Sequence, residues 1–473
     1  MKQKPFLIFL GCLVMAGSLC AQQLTFKKGM ITDSVAVGDS IPESFSVYLP
    51  TRFNGQAAWP VLFVFDIDGK ARQALAMFRE AAEKAGFLLA ASNDIRDSLS
   101  ISDNILITQR MINRVNALFP LQHRRMYSAG RAQGAQLAAL IPSFIKEVSG
   151  AISLGSGIPN AEILDSRYPF YFLGIVGVRD FNYPDMVDSK ELLDRKDIPN
   201  NLFVFDGGEE WPDADLLGTA FELLNIRAMA NGSMERDSAM AEGAYRQMME
   251  EAGRLKGSGQ LYMAYNYLEE MRSVFAGIKD VDSIMAELNL IKKDKAFRLQ
   301  RRNENAQFFR ENLKREEFAY YLEEDIYTYN FDNLGWWVHQ MELLEQQVAG
   351  ADPAVRNMAQ RLKGYLNALI EDYIDQVSIE KPVDEEALMF LWMLKTITAP
   401  EEYGNYLKII SMSAKYEDYG TSLFYLEELL KNGYTDKGKL YELENTALLR
   451  ITPEYNEIIG NYLKSARYDT IED

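Results

Sequence analysis

Residues 126–138 read Met-Tyr-Ser-Ala-Gly-Arg-Ala-Gln-Gly-Ala-Gln-Leu-Ala. A short apolar strand enters Gly130-Arg131-Ala132-Gln133-Gly134, and a helix of small residues follows. The two glycines allow helix and strand to approach closely around a sharp turn. The apex residue of that turn is Ala132.

The chain around this turn alternates strands with helices. Residues 24–35 and 43–49 read as half-buried strands, with Phe45, Val47 and Leu49 on one face. Val61 to Phe65 is a continuous apolar run, as in a central strand covered on both faces. It ends in Asp66-Ile67-Asp68-Gly69. A helix is expected over 70–85 with alanines on its packing side, a buried strand over 87–91, and a helix over 101–119. Further strands are expected at 125–128, 148–154, 170–176 and 201–205. This alternation indicates a mostly parallel sheet flanked by helices.

At 473 residues the chain is too long for one ordinary core, so two domains are expected. The composition changes near Asn231-Gly232, and from Ser233 to Asp473 helical patterns replace strand signals. Lys292 to Arg315 is densely charged and reads as a solvated helix face. Short helices are expected at 354–376, 384–396, 401–416, 420–432, 436–448 and 453–467. No clean 34-residue period runs through the region.

Residues 1–21 read as a secretory signal: Lys2 and Lys4, an apolar run from Phe6 to Val14, then Ser18-Leu19-Cys20-Ala21. Cleavage after Ala21 is favoured over lipidation of Cys20, because Leu19 is a poor residue before a lipid-modified cysteine. The expected address is the periplasm, the outer envelope or the medium. Cys12 and Cys20 are the only cysteines, so the mature chain is expected to lack disulfides and catalytic thiols. The formal charge of −18 argues against nucleic-acid or anionic-lipid partners. No later stretch is long and apolar enough to span a bilayer.

Three loops, each expected at a strand end, carry a family resemblance. Gly130-Arg131-Ala132-Gln133-Gly134 resembles the G-x-S-x-G nucleophile elbow. Gly177-Val178-Arg179-Asp180-Phe181-Asn182 resembles the acid loop. Gly207-Gly208-Glu209-Glu210-Trp211-Pro212 resembles a Gly-Gly-His-x-Trp loop with Glu209 in the histidine's place. In that order, residues 26–232 resemble the secreted esterase and depolymerase branch of the α/β-hydrolases. The resemblance implies a degenerate triad of Ala132, Asp180 and Glu209. Alanine has no hydroxyl to attack a carbonyl, and a carboxylate does not replace imidazole as base. No catalytic residue is therefore expected. The Gln133 N–H, Asp66, Asp68 and Trp211 are candidates for a vestigial binding pocket.

Other residues receive plainer readings. Ser128, Ser153 and Ser156 are read as strand or turn serines, and His123 and His339 as surface or packing histidines. Asp66, Asp68, Asp180, Glu209 and Glu210 have the chemistry to hold Ca²⁺, yet solvated loop carboxylates are commoner, and no metal or cofactor is expected. Val61 to Gly69 also looks like the first motif of haloacid-dehalogenase-type phosphatases, but Lys70 follows where Thr or Val is usual. Tyr425 to Leu463 resembles the last unit of a tetratricopeptide-like repeat, which implies a groove for another envelope protein.

The expected architecture is a signal over 1–21, an α/β-hydrolase-like domain over 22–232 and an all-α, tetratricopeptide-like domain over 233–473. The expected role is that of an exported pseudohydrolase that binds or scaffolds. A divergent esterase and a phosphatase are the alternatives.

Overall fold

The computed structural model describes residues 26–165, 167 and 169–464. The signal reading of 1–21 lies outside them. The first elements are β1 (Ile31–Gly38), β2 (Ile41–Tyr48), β3 (Trp59–Phe65), α1 (Ala71–Ala85), β4 (Leu88–Ser92), α2 (Ile101–Leu118), β5 (Leu121–Arg131) and α3 (Gln133–Phe144). Then come β6 (Val148–Leu154), β7 (Tyr171–Gly177), α4 (Tyr183–Arg195), β8 (Asn200–Phe205) and α5 (Ala214–Ala230). The sheet order is β1-β2-β4-β3-β5-β6-β7-β8. β2 is antiparallel to β1 and β4, β3 is parallel to β4 and β5, and β7 is parallel to β8. This mostly parallel sheet flanked by helices, with a helical region after it, is the α/β-hydrolase-like class indicated by the sequence.

The chain forms two compact units, one from Met1–Ile152 and Asp213–Ala228, the other from Ser153–Pro212 and Met229–Asp473. In the first, the apolar run of β3 is buried on both faces. Val61, Phe63 and Phe65 join Phe45, Val47, Met111, Val115, Leu137 and Ile141 in one core. On α1, Ala71, Ala74, Leu75, Phe78, Ala81 and Ala82 are buried, so four of its six alanines lie on the packing side as expected, while Ala76 is exposed and Ala85 half-buried. Gly86 closes that helix in the left-handed conformation, at φ 76°.

In the second unit every regular element among the described residues from Ser233 onward is helical. These are α6 (Ser238–Gly257), α7 (Leu261–Phe275), α8 (Asp282–Lys293), α9 (Lys295–Thr328), α10 (Leu334–Val348) and α11 (Pro353–Ile379). They continue as α12 (Glu385–Thr398), α13 (Tyr403–Lys415), α14 (Tyr419–Lys431), α15 (Lys437–Glu442) and α16 (Pro453–Leu463). Two apolar clusters hold the helices from α9 onward, one built mainly on α9 to α12 and one on α13 to α16. No helix among the described residues is long and apolar enough to cross a membrane.

Three expectations need correction. The first strand begins at Ile31, because Gly29 turns the chain at φ 76° and bonds to Leu49 O. The helix expected at 436–448 stops at Glu442, where Leu443 is extended. The charged stretch Lys292 to Arg315 is not wholly solvated. It crosses from α8 into α9, and Phe297, Gln307 and Glu311 of α9 are buried. Charge density along a helix does not reveal which charges have partners inside.

Candidate functional site

The elbow belongs to the first unit. Ala132 sits between β5 and α3 at φ 51°, ψ −124°, a conformation strained for any residue with a Cβ. A Cβ on Gly130 would lie 2.2 Å from Gly134 O, and one on Gly134 would lie 2.4 Å from Phe65 O. Glycine is therefore required at both positions for the helix to close on β5 and β3. Ala132 O caps the helix start, accepting from Ala135 N at 2.9 Å and Gln136 N at 3.2 Å. The geometry of a nucleophile elbow is present and its apex is an exposed methyl group. Gln133 is exposed beside it.

Ser128 and Ser153 are buried, and their hydroxyls donate to main-chain oxygens, Ser128 to Ala138 O at 2.7 Å and Ser153 to Ser156 O. At the end of β3, Asp66 Oδ1 accepts from Asp68 N at 3.0 Å and Lys70 N at 3.2 Å, which closes a tight turn. Asp68 is exposed and pairs with Lys70 at 2.8 Å. The aspartates of the phosphatase-like motif thus serve the loop itself. Among the described residues no three His, Cys, Asp or Glu side chains are grouped to hold a metal ion.

The acid loop and the Glu209 loop belong to the second unit, which brings them together. Val178 N donates to Phe205 O at 2.9 Å and Arg179 N to Gly207 O at 2.8 Å. A Cβ on Gly177 would lie 2.2 Å from Gly208 O, so glycine is needed where the loops cross. Asp180 is 5% exposed, and its Oδ1 accepts from Asn182 N at 2.8 Å, shaping the turn into α4. A Cβ on Gly155 would come within 2.8 Å of Asp180 Oδ2. Arg179 pairs with Asp206, and this guanidinium holds the Asp206 carboxyl below its ordinary value. Glu210 folds back to accept from Gly208 N at 2.8 Å. Glu209 is exposed, and Trp211 is half-buried.

Helices hold these loops from the other side, through residues that no sequence motif marks. Arg361 of α11 donates Nη1–H to Val178 O at 2.7 Å. Arg315 of α9 donates to Phe181 O at 2.6 Å and pairs with Asp185 at 3.3 Å. A Cβ on Gly364 of α11 would lie 3.0 Å from Glu209 Oε1 and 3.2 Å from Phe181 Cβ. The Asp180 and Glu209 loops are thus packed against helices of their own unit. His123 and His339 are both exposed, as expected of surface histidines, with His339 3.9 Å from Glu342.

No known family profile matches the chain, and no curated protein is similar to it. Solved structures share part of it. One is a fungal esterase from Rhizomucor miehei, 11% identical, covering 41% of this chain and 83% of that one at a TM-score of 0.35. A ferulic acid esterase is 12% identical over 41% of this chain and 96% of its own, at 0.33. A truncated carbohydrate esterase from gut microbiota is 14% identical over 42% of this chain and 96% of its own, at 0.36. At such identities the likeness assigns no role to any residue.

Proposed function

We propose that this chain is an exported pseudohydrolase, a non-catalytic binding or scaffold protein of the bacterial cell envelope. The observation that carries the reading is Ala132, which occupies the strained apex of an elbow without a hydroxyl to attack. Glu209 supports it, as a carboxylate where an imidazole base would be needed. In this reading residues 1–21 direct export, 22–232 form the hydrolase-like domain, and 233–473 form a tetratricopeptide-like domain for another envelope protein. Helices packing neighbour on neighbour from α9 to α16 are of the kind such repeats use.

The test is ester turnover and fluorophosphonate labelling of pure protein. Wild type should show neither. Ala132→Ser alone and Glu209→His alone should stay silent, because triad members act as a unit. Only the double variant, beside native Asp180, has all three parts. Wild-type turnover that is lost on mutating Asp180 would replace this reading with a divergent esterase. Mass spectrometry of the exported protein should find Gln22 first and no lipid on Cys20.

A further inference from the structure

The second unit contains a cavity that the hydrolase motifs leave unexplained. It has two adjoining lobes of about 370 and 440 Å³. Six residues line both: Tyr183 of α4, Leu202 and Val204 of β8, Tyr262 and Asn266 of α7, and Glu304 of α9. Two phenol rings, two aliphatic side chains, an amide and one carboxylate therefore meet where the lobes join.

The cationic side chains around the cavity are already engaged. Arg361 binds Glu311 and Val178 O, and its guanidinium lies 4.9 Å from the centre of the Tyr183 ring. Lys190 pairs with Glu270 at 3.2 Å and Asp194 at 3.5 Å. Arg179 pairs with Asp206, and Arg356 donates to Gly350 O at 3.4 Å. Glu304 differs from the carboxylates around it. Among the described residues its carboxylate has no hydrogen bond or ion pair. Burial pushes it above its ordinary value, and Asp352 and Glu311 act in the same direction against the pull of Arg361.

A half-buried carboxylate that makes no hydrogen bond or ion pair gains when an opposite charge arrives. Aromatic faces attract cations, and apolar walls accept an apolar body. We propose that this cavity binds a small organic cation, an ammonium group carried on an apolar body. The Glu304 carboxylate is its counter-ion, the Tyr262 ring flanks the ammonium, and Leu202 and Val204 receive the apolar part. A neutral ligand would satisfy the Asn266 amide and leave Glu304 uncompensated. The site uses neither Ala132, Asp180 nor Glu209, so it stands apart from the pseudohydrolase reading.

Calorimetric titration of the full chain tests this with four probes that share a phenyl ring: benzylamine, benzyltrimethylammonium, benzyl alcohol and benzoate. The two cations should bind about tenfold or more tightly than the alcohol, as expected for one charge-assisted contact. Benzoate should not bind. Glu304→Gln should weaken the cations by about tenfold, and Tyr262→Phe, which keeps the ring, by about twofold at most. Glu304→Gln removes a partly desolvated charge, so its melting temperature should not fall, which separates lost binding from lost folding. Three results would overturn the proposal: no binding of either cation at millimolar concentration, equal binding of benzylamine and benzyl alcohol, or full cation affinity in Glu304→Gln.

Discussion

Arg361 and Glu311 form an ion pair with 1% and 0% of their side chains exposed. Arg361 Nε donates to both carboxylate oxygens, at 2.9 and 3.0 Å, and Nη2 to Oε2 at 2.6 Å. The remaining Nη1 goes to Val178 O, in the loop that carries Asp180. Each nitrogen of this guanidinium thus donates to a buried acceptor, and α9, α11 and the Asp180 loop meet at one point.

Removing one partner of this pair strands the other charge. Arg361→Ala should destabilise the protein by about 3–5 kcal/mol. Arg361→Met combined with Glu311→Gln should cost much less than the two single changes added together, because neither charge is left alone. Denaturant midpoints of wild type, Arg361→Ala, Arg361→Met, Glu311→Gln and the double variant decide the matter. A loss below about 1 kcal/mol for Arg361→Ala would show that the pair is not held as described.

The same methyl group should have opposite effects at two glycines. Gly134→Ala places a Cβ 2.4 Å from the main-chain oxygen of Phe65, where nothing flexible can yield. A loss of about 1–3 kcal/mol or more is expected. Gly243 lies exposed inside α6 with nothing within 4 Å of a Cβ. Gly243→Ala should stabilise by about 0.5–1 kcal/mol through helix propensity. Thermal melts that rank the two alike would contradict the close approach of α3 to β3.

Ala132 retains elbow strain without the nucleophile that such strain ordinarily presents. Ala132→Gly releases a strain on the order of 1–3 kcal/mol and adds about 0.5–1 kcal/mol of chain entropy. A net stabilisation of about 1 kcal/mol is expected in equilibrium denaturation. A clear loss of stability would mean that the alanine methyl is packed rather than strained.

Glu222 of α5 is half-buried, its Oε2 has no hydrogen-bond partner among the described residues, and burial pushes its carboxyl above the ordinary 4.5. Such a group holds its proton more tightly folded than unfolded. Its contribution to stability therefore falls as pH rises from about 4.5 upward. Glu222→Gln should melt above wild type at pH 7, and the gap should close as the pH falls toward 4.5. A gap that widens on acidification would reverse the sign of the argument.

The sequence by itself determined the order of strands and helices, because residue periodicity is local. It also determined the elbow: Gly130 and Gly134 show where backbones must touch, and Ala132 shows that no hydroxyl is present. The start of the first strand was missed because a single left-handed residue, Gly29, turns the chain before the extended run begins at Ile31. Only the tertiary structure decided which charges lie inside. Lys292 to Arg315 looks uniformly solvated, yet Glu311 within it meets Arg361 50 residues later, and Arg361 meets Val178 across 183 residues. Glu304 likewise looks like any surface glutamate until α4, α7 and β8 surround it. A charge's burial depends on neighbours brought by the fold, and no local pattern encodes them.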